Sequence, residues 1–123
     1  MQDEQPESIL VVGSDALQRS TIAKYLRECG YRVIEAAGLE EAKVAIEHQA
    51  IDIVVADTQM RDGTGFDLST HVRRHAGDIQ VLLTQSLTRA AEIAGDLCEQ
   101  GPLDQPYHPQ QLVDAIKRLR GHR

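Results

Sequence analysis

Short apolar runs alternate along the chain with longer stretches in which apolar residues return every three or four positions. Ser8–Val12, Ser-Ile-Leu-Val-Val, is a continuous apolar run ended by Gly13, as in a strand buried on both faces. From 15 to 28, Leu17, Ile22 and Leu26, then Cys29, recur at helical spacing among Arg, Lys and Gln. Gly30 stands where a helix end takes a residue tolerant of positive φ. Residues 31–36 predict a second strand, interrupted by Arg32 and Glu35, and Gly38 opens a helix whose face is Ala42, Ala45 and Ile46. Residues 51–56, Ile-Asp-Ile-Val-Val-Ala, predict a third strand rich in β-branched residues that terminates in Asp57. A loop with Gly63 and Gly65 leads to a third helix over 66–75, broken by Gly77 and Asp78. Residues 79–84 predict a fourth strand, and Ala90, Ala91, Ala94, Leu97 and Cys98 mark a fourth helix that Gly101 ends. Leu103 and Asp104 offer a very short fifth strand, and Pro109 starts a last helix with the stripe Leu112, Val113, Ile116, Leu119.

Strands alternating with helices demand parallel pairing through right-handed crossovers, with helices on both faces. The expected fold is a doubly wound α/β domain, a five-stranded parallel sheet with five helices, over 8–121 after a disordered tail, 1–7. In such sheets ligands bind beyond the carboxyl ends of the strands. The residues there are Gly13, Ser14 and Asp15, then Asp57, then Thr84, Gln85 and Ser86, then Gln105 and Pro106.

Charge and composition narrow the chemistry. Among 123 residues, 13 Lys and Arg face 19 Asp and Glu, a formal charge of −6 that argues against sequence-independent nucleic-acid binding. The basic cluster Lys117, Arg118, Arg120, His122 and Arg123 reads as favourable charge on the negative end of the last helix. No run approaches the ~20 apolar residues of a membrane span, and the polar, acidic start is unlike a secretory signal, so no membrane partner and a cytoplasmic location are expected. Cys29 and Cys98, far apart and outside any C-x-x-C spacing, read as reduced thiols on helices. His71 and His75, one turn apart, have zinc-ligand spacing without an evident third ligand and read as an exposed helix face. Gly13-Ser14 before a helix could cradle a phosphate, but a lone glycine is no dinucleotide fingerprint. With no Trp, one Phe and three Tyr, there is little to stack a flavin or base. No Ser-His-Asp or paired-acid arrangement points to hydrolysis, and the chain is read as a non-enzyme.

Ile9-Leu10-Val11-Val12, Asp57-Thr58-Gln59-Met60, Leu82-Leu83-Thr84 and Gln105-Pro106-Tyr107, in this order and at these separations, resemble the signature blocks of response-regulator receiver domains, which have a flavodoxin-like fold. The resemblance covers essentially the whole chain. It implies that Asp57 is the phosphoacceptor, that Thr84 hydrogen-bonds the phosphoryl group, and that Mg²⁺ is held by Asp57, the backbone carbonyl of Gln59 and two acids after the first strand. Those two positions hold Gly13 and Ser14. Mg²⁺ prefers charged oxygen ligands, so weak binding is expected. Asp15, one residue on, reads as an N-cap of the first helix; as a displaced metal ligand it would point to the opposite side. Gln105 replaces the family's lysine, Pro102 falls where its switching aromatic stands, and Pro106 is implied to follow a cis bond. Arg61 is either a solvated loop residue or a counter-ion folded over Asp57.

Two functional readings follow. One is a phosphorelay receiver with impaired Mg²⁺-dependent phosphorylation, whose partner is a histidine kinase or phosphotransfer protein. The other is a pseudo-receiver acting by contact alone, including homodimerisation through the fourth helix, fifth strand and fifth helix. A nucleotide or flavin binder is the reading from another class.

Overall fold

The computed structural model describes residues 7–104 and 106–121. Its elements are β1 (Ser8–Val12), α1 (Ala16–Glu28), β2 (Arg32–Ala36), α2 (Leu39–His48), β3 (Ile53–Asp57), β4 (Gln59–Met60), β5 (Gly63–Thr64), α3 (Gly65–His75), β6 (Gln80–Thr84), α4 (Leu87–Glu99) and α5 (Pro109–Gly121). The main sheet has the order β2-β1-β3-β6 and every pairing in it is parallel. The expected tail, 1–7, lies outside the described residues except for Glu7, whose carbonyl accepts a hydrogen bond from the Arg32 N–H at 3.1 Å.

Side chains alternate across each strand, so every strand feeds two cores. Ile9, Val11, Ile53 and Val55 meet α1, α4 and α5 on one face. Leu10, Val12, Val54 and Ala56 meet α2 and α3 on the other. The continuous apolar runs of β1 and β3 follow from burial on both faces. Glu35, the charge that interrupts β2, is held by Arg19 at 3.0 Å and Arg27 at 3.7 Å, both from α1.

The expectation of a five-stranded sheet is corrected: among the described residues the sheet has four parallel strands, and Leu103 and Asp104 are irregular. Among the described residues the chain leaving α4 is fastened to the end of α1. The Leu103 N–H donates to the Cys29 carbonyl at 3.0 Å, and Gly30, at φ +101°, lies so close to Pro102 and Leu103 that a Cβ would stand 3.1 Å from both. The reading of Cys29 and Cys98 as reduced thiols is also corrected. Cys29, the C-cap of α1, forms a disulfide with Cys98 of α4, their Cα atoms 5.4 Å apart. Tyr31 adds a second tie, its hydroxyl donating to the Leu97 carbonyl.

The antiparallel ribbon β4-β5 carries Asp62 at its turn. The Asp62 carboxylate accepts the N–H groups of Leu39 (2.8 Å) and Glu40 (3.1 Å), capping α2 from 22 residues away. These two backbone bonds hold its pKa below the usual carboxylate range. A Cβ on Gly38 would stand 2.6 Å from the Asp62 Oδ1, so this cap requires a glycine there.

Candidate functional site

Asp57 ends β3 and Thr84 ends β6, opposite each other in the parallel register. The buried Thr84 hydroxyl donates to the Asp57 Oδ1 at 2.9 Å. Beyond them opens a cleft of about 170 Å³ lined by Gln18, Thr58, Gln59, Thr84, Gln85 and Ser86. Apart from Asp57, its described lining is neutral.

The residues that follow β1 are each committed. Gly13 brings its backbone against the carboxylate: a Cβ there would stand 2.9 Å from the Asp57 Oδ2. Its carbonyl accepts from the Arg19 Nη1 at 2.8 Å. The Ser14 Oγ accepts from the Arg61 N–H at 3.2 Å and lies 3.5 Å from the Ala37 carbonyl, joining three loops at one hydroxyl. Asp15 caps α1, its Oδ1 accepting from the Gln18 N–H at 3.0 Å, while its Oδ2 pairs with Arg120 of α5. The capping role is as expected for Asp15. Arg61 forms no ion pair with Asp57 among the described residues.

Gln59 lies in β4, two residues past Asp57, and Pro102 packs on Gly30 far from the carboxylate. Gln105, and with it the bond preceding Pro106, lies outside the described residues. His71 and His75 stack with ring centroids 4.2 Å apart, and the His71 Nε2 lies 3.5 Å from the Glu47 Oε2. No group of three metal-ligating side chains occurs among the described residues.

The sequence does not reveal the role of Arg19 or the capping of α2 by Asp62. Arg19 is the half-buried cation nearest the end of β1, and its charge is engaged by Glu35 and the Gly13 carbonyl. The only hint was the misplaced charge of Glu35 in an otherwise apolar strand.

Burial pushes the Asp57 carboxyl up, the Thr84 hydrogen bond opposes this, and the charge of Asp15 adds to the rise. A carboxyl raised on folding binds more protons in the native state than in the unfolded chain. Stability therefore falls as pH rises from the ordinary carboxylate range through the raised value, and stays lowered above it. Asp57→Asn keeps an acceptor for Thr84 and removes the ionisation. It should melt above the native protein at neutral pH, and the gap should close by about pH 3, where both forms are uncharged. A gap independent of pH would assign the effect to packing.

Comparison with known proteins places this geometry. Residues 9–117 match the response regulator receiver domain family, to which the chain belongs. The transcriptional regulatory protein PdtaR of Mycobacterium tuberculosis is 30% identical over 114 residues, covering 91% of this chain and 56% of its own. The chain spans about half the length of curated relatives of this kind. The non-phosphorylated HemR receiver domain of Leptospira biflexa superposes with a TM-score of 0.63 at 26% identity, covering 95% of this chain and 96% of that one. The response regulator TrrA of Thermotoga maritima, solved with Mg²⁺ and BeF, shares the fold with a TM-score of 0.62 at 24% identity over 92% of this chain and 98% of that one. The chain is thus a two-component signalling receiver domain of flavodoxin-like fold.

Proposed function

We propose that this receiver works in a phosphorelay with Asp57 as the phosphoacceptor and with Mg²⁺-dependent phosphorylation impaired. Its donor is a histidine kinase or phosphotransfer protein. In the transfer, an Asp57 oxygen attacks phosphorus and the bond from phosphorus to the donor breaks. The incoming charge needs neutralising, ordinarily by metal and lysine.

The observation that carries the reading is the set of commitments around Asp57. Gly13 offers no side chain, the Ser14 hydroxyl already serves Arg61, and Asp15 is spent on the α1 cap and Arg120. One carboxylate and a backbone carbonyl at Gln59 do not fit a hard cation that takes several charged oxygens. Thr84, by contrast, stands where it would bond the phosphoryl group.

Incubation with a small acyl phosphate, with and without Mg²⁺, tests this by intact mass. The expected result is one phosphoryl group on a minor fraction, little changed by Mg²⁺ and absent from Asp57→Asn. Near-complete, Mg²⁺-dependent modification would overturn it. The existing Thr84–Asp57 hydrogen bond favours a second reading, a pseudo-receiver already holding the arrangement a phosphoryl group would induce. That reading expects no mass gain under either condition.

A further inference from the structure

A phosphoryl group on Asp57 brings about two negative charges at neutral pH to a site that already holds one at Asp15. Asp15, Gln18, Arg19 and Asp57 line a common cavity of about 20 Å³, and Gln18 also lines the wider cleft beyond Asp57 and Thr84. The charge of Asp15 already acts on the Asp57 carboxyl. The described lining of the cleft offers only neutral groups to set against the incoming charge, so transfer calls for a cation that can reach it from outside.

Two arginines touch these residues. Arg19 is fixed: its side chain is 17% exposed, its Nε donates to the Glu35 Oε1 at 3.0 Å, and its Nη1 donates to the Gly13 carbonyl at 2.8 Å. Its charge stays with Glu35. Arg120 differs on each count. It extends from the last turn of α5 with 36% of its side chain exposed, and its Nη2 donates both to the Asp15 Oδ2 and, at 3.0 Å, to the Gln18 Oε1. Both acceptors sit at the start of α1 on residues that border Asp57. An exposed pair such as Arg120–Asp15 holds its partners weakly, whereas a guanidinium meets phosphoryl oxygens through charge-assisted bonds in a planar fork.

Building on Asp57 as the phosphoacceptor, we propose that Arg120 is the phosphoryl-binding cation of this receiver: its guanidinium turns from Asp15, past Gln18, onto the phosphoryl oxygens. In transfer from an acyl phosphate, an Asp57 oxygen bonds to phosphorus as the bond from phosphorus to the acyl carboxylate breaks. Nucleophile and leaving group are both carboxylates, so no proton moves, and Arg120 neutralises the phosphoryl oxygens without giving one up. Asp15 keeps its Oδ1 on the Gln18 N–H throughout, so the cap of α1 survives the exchange. The charge that answers phosphorylation is thus carried on α5, and it works without metal.

Initial rates of phosphoryl gain from a small acyl phosphate, in chelator and read by intact mass, test this as a double-mutant cycle. Arg120→Gln alone does not decide, because it also uncovers the charge of Asp15. Asn caps a helix as well as Asp does, so Asp15→Asn removes that charge and leaves Arg120 free. Asp15→Asn should gain the phosphoryl group faster than the native chain. Adding Arg120→Gln to it should slow the gain about 10-fold, and Arg120→Lys should keep part of the rate. Adding Arg118→Gln instead, the same loss of charge about 200° round α5, should leave the rate unchanged. Equal rates with and without Arg120→Gln in the Asp15→Asn background overturn the proposal, since Arg120 would then act only by masking Asp15. So does an equal loss from Arg118→Gln, which would assign the effect to net charge. No mass gain in the native chain, or a gain that survives Asp57→Asn, removes the phosphoacceptor reading and this proposal with it. A gain that requires Asp57 and ignores Arg120 removes this proposal alone.

Discussion

Carboxylates placed at both positions after β1, as Gly13→Asp with Ser14→Asp, should raise Mg²⁺ affinity at Asp57 by at least about 100-fold. Even outer-shell groups around bound metals are worth about 10- to 100-fold, and these two would be direct ligands. In the native chain these positions supply a bare backbone and a hydroxyl hydrogen-bonded to the Arg61 N–H. The new side chain at 13 would bring its Cβ within 2.9 Å of the Asp57 Oδ2, so the Asp57 carboxylate must turn. Three acids at one point repel without a cation and push one another's pKa values up. The variant should therefore be less stable than the native chain in chelator and regain stability as Mg²⁺ is added, since a ligand that binds only the folded state stabilises it by mass action. Thermal melts across a Mg²⁺ titration read both effects without reference to phosphorylation. A native chain that gains as much from Mg²⁺ as the variant would show that Asp57 and Gln59 already hold the ion, and the impaired-site reading would fail.

The parts of this architecture that were legible in the sequence are those set by local periodicity. The runs ending at Gly13, Asp57 and Thr84 are strands because both of their faces are apolar, and each strand ends at or one residue before the residue that closes its run. Asp57 and Thr84 were legible for the same reason, as polar residues at the carboxyl ends of apolar strands. The fifth strand was not, because Leu103-Asp104 is too short to carry a period and its fate is decided at Cys29 and Gly30, more than 70 residues earlier. Glu35 read as a flaw in β2 until its partners Arg19 and Arg27 were in view. Ser14 and Asp62 act on backbone groups of remote loops, at Arg61 and at Leu39 and Glu40, and no spacing rule connects an acceptor to a distant N–H. The cysteine pair escaped for the same reason: a sequence separation of 69 says nothing about proximity until α1 and α4 lie on one face of the sheet.

Opening the Cys29–Cys98 bond is expected to lower the free energy of unfolding by about 4 kcal/mol, the chain-entropy value for a loop of this length. Most of that arises in the unfolded state, where the bond restricts the chain from the end of α1 to the end of α4. In the folded state the two ends stay tied by the Tyr31 hydroxyl on Leu97 and by the Leu103 N–H on the Cys29 carbonyl. The native far-ultraviolet spectrum should thus be unchanged by a dithiol reductant while the urea midpoint drops. Both cysteine side chains are fully buried, so reduction must wait for local opening and should be slow in the native state and fast in urea. Cys98→Ala should reproduce the lower midpoint without reductant, with a further loss from the sulfur's removal from the core. Two titratable thiols in urea-unfolded, unreduced protein, with a midpoint indifferent to reductant, would show that the bond does not form. The outcome bears on α4 as well, because it begins three residues after Thr84 and its far end is held by this bond. With the crosslink in place, any displacement of α4 is confined to its first turns.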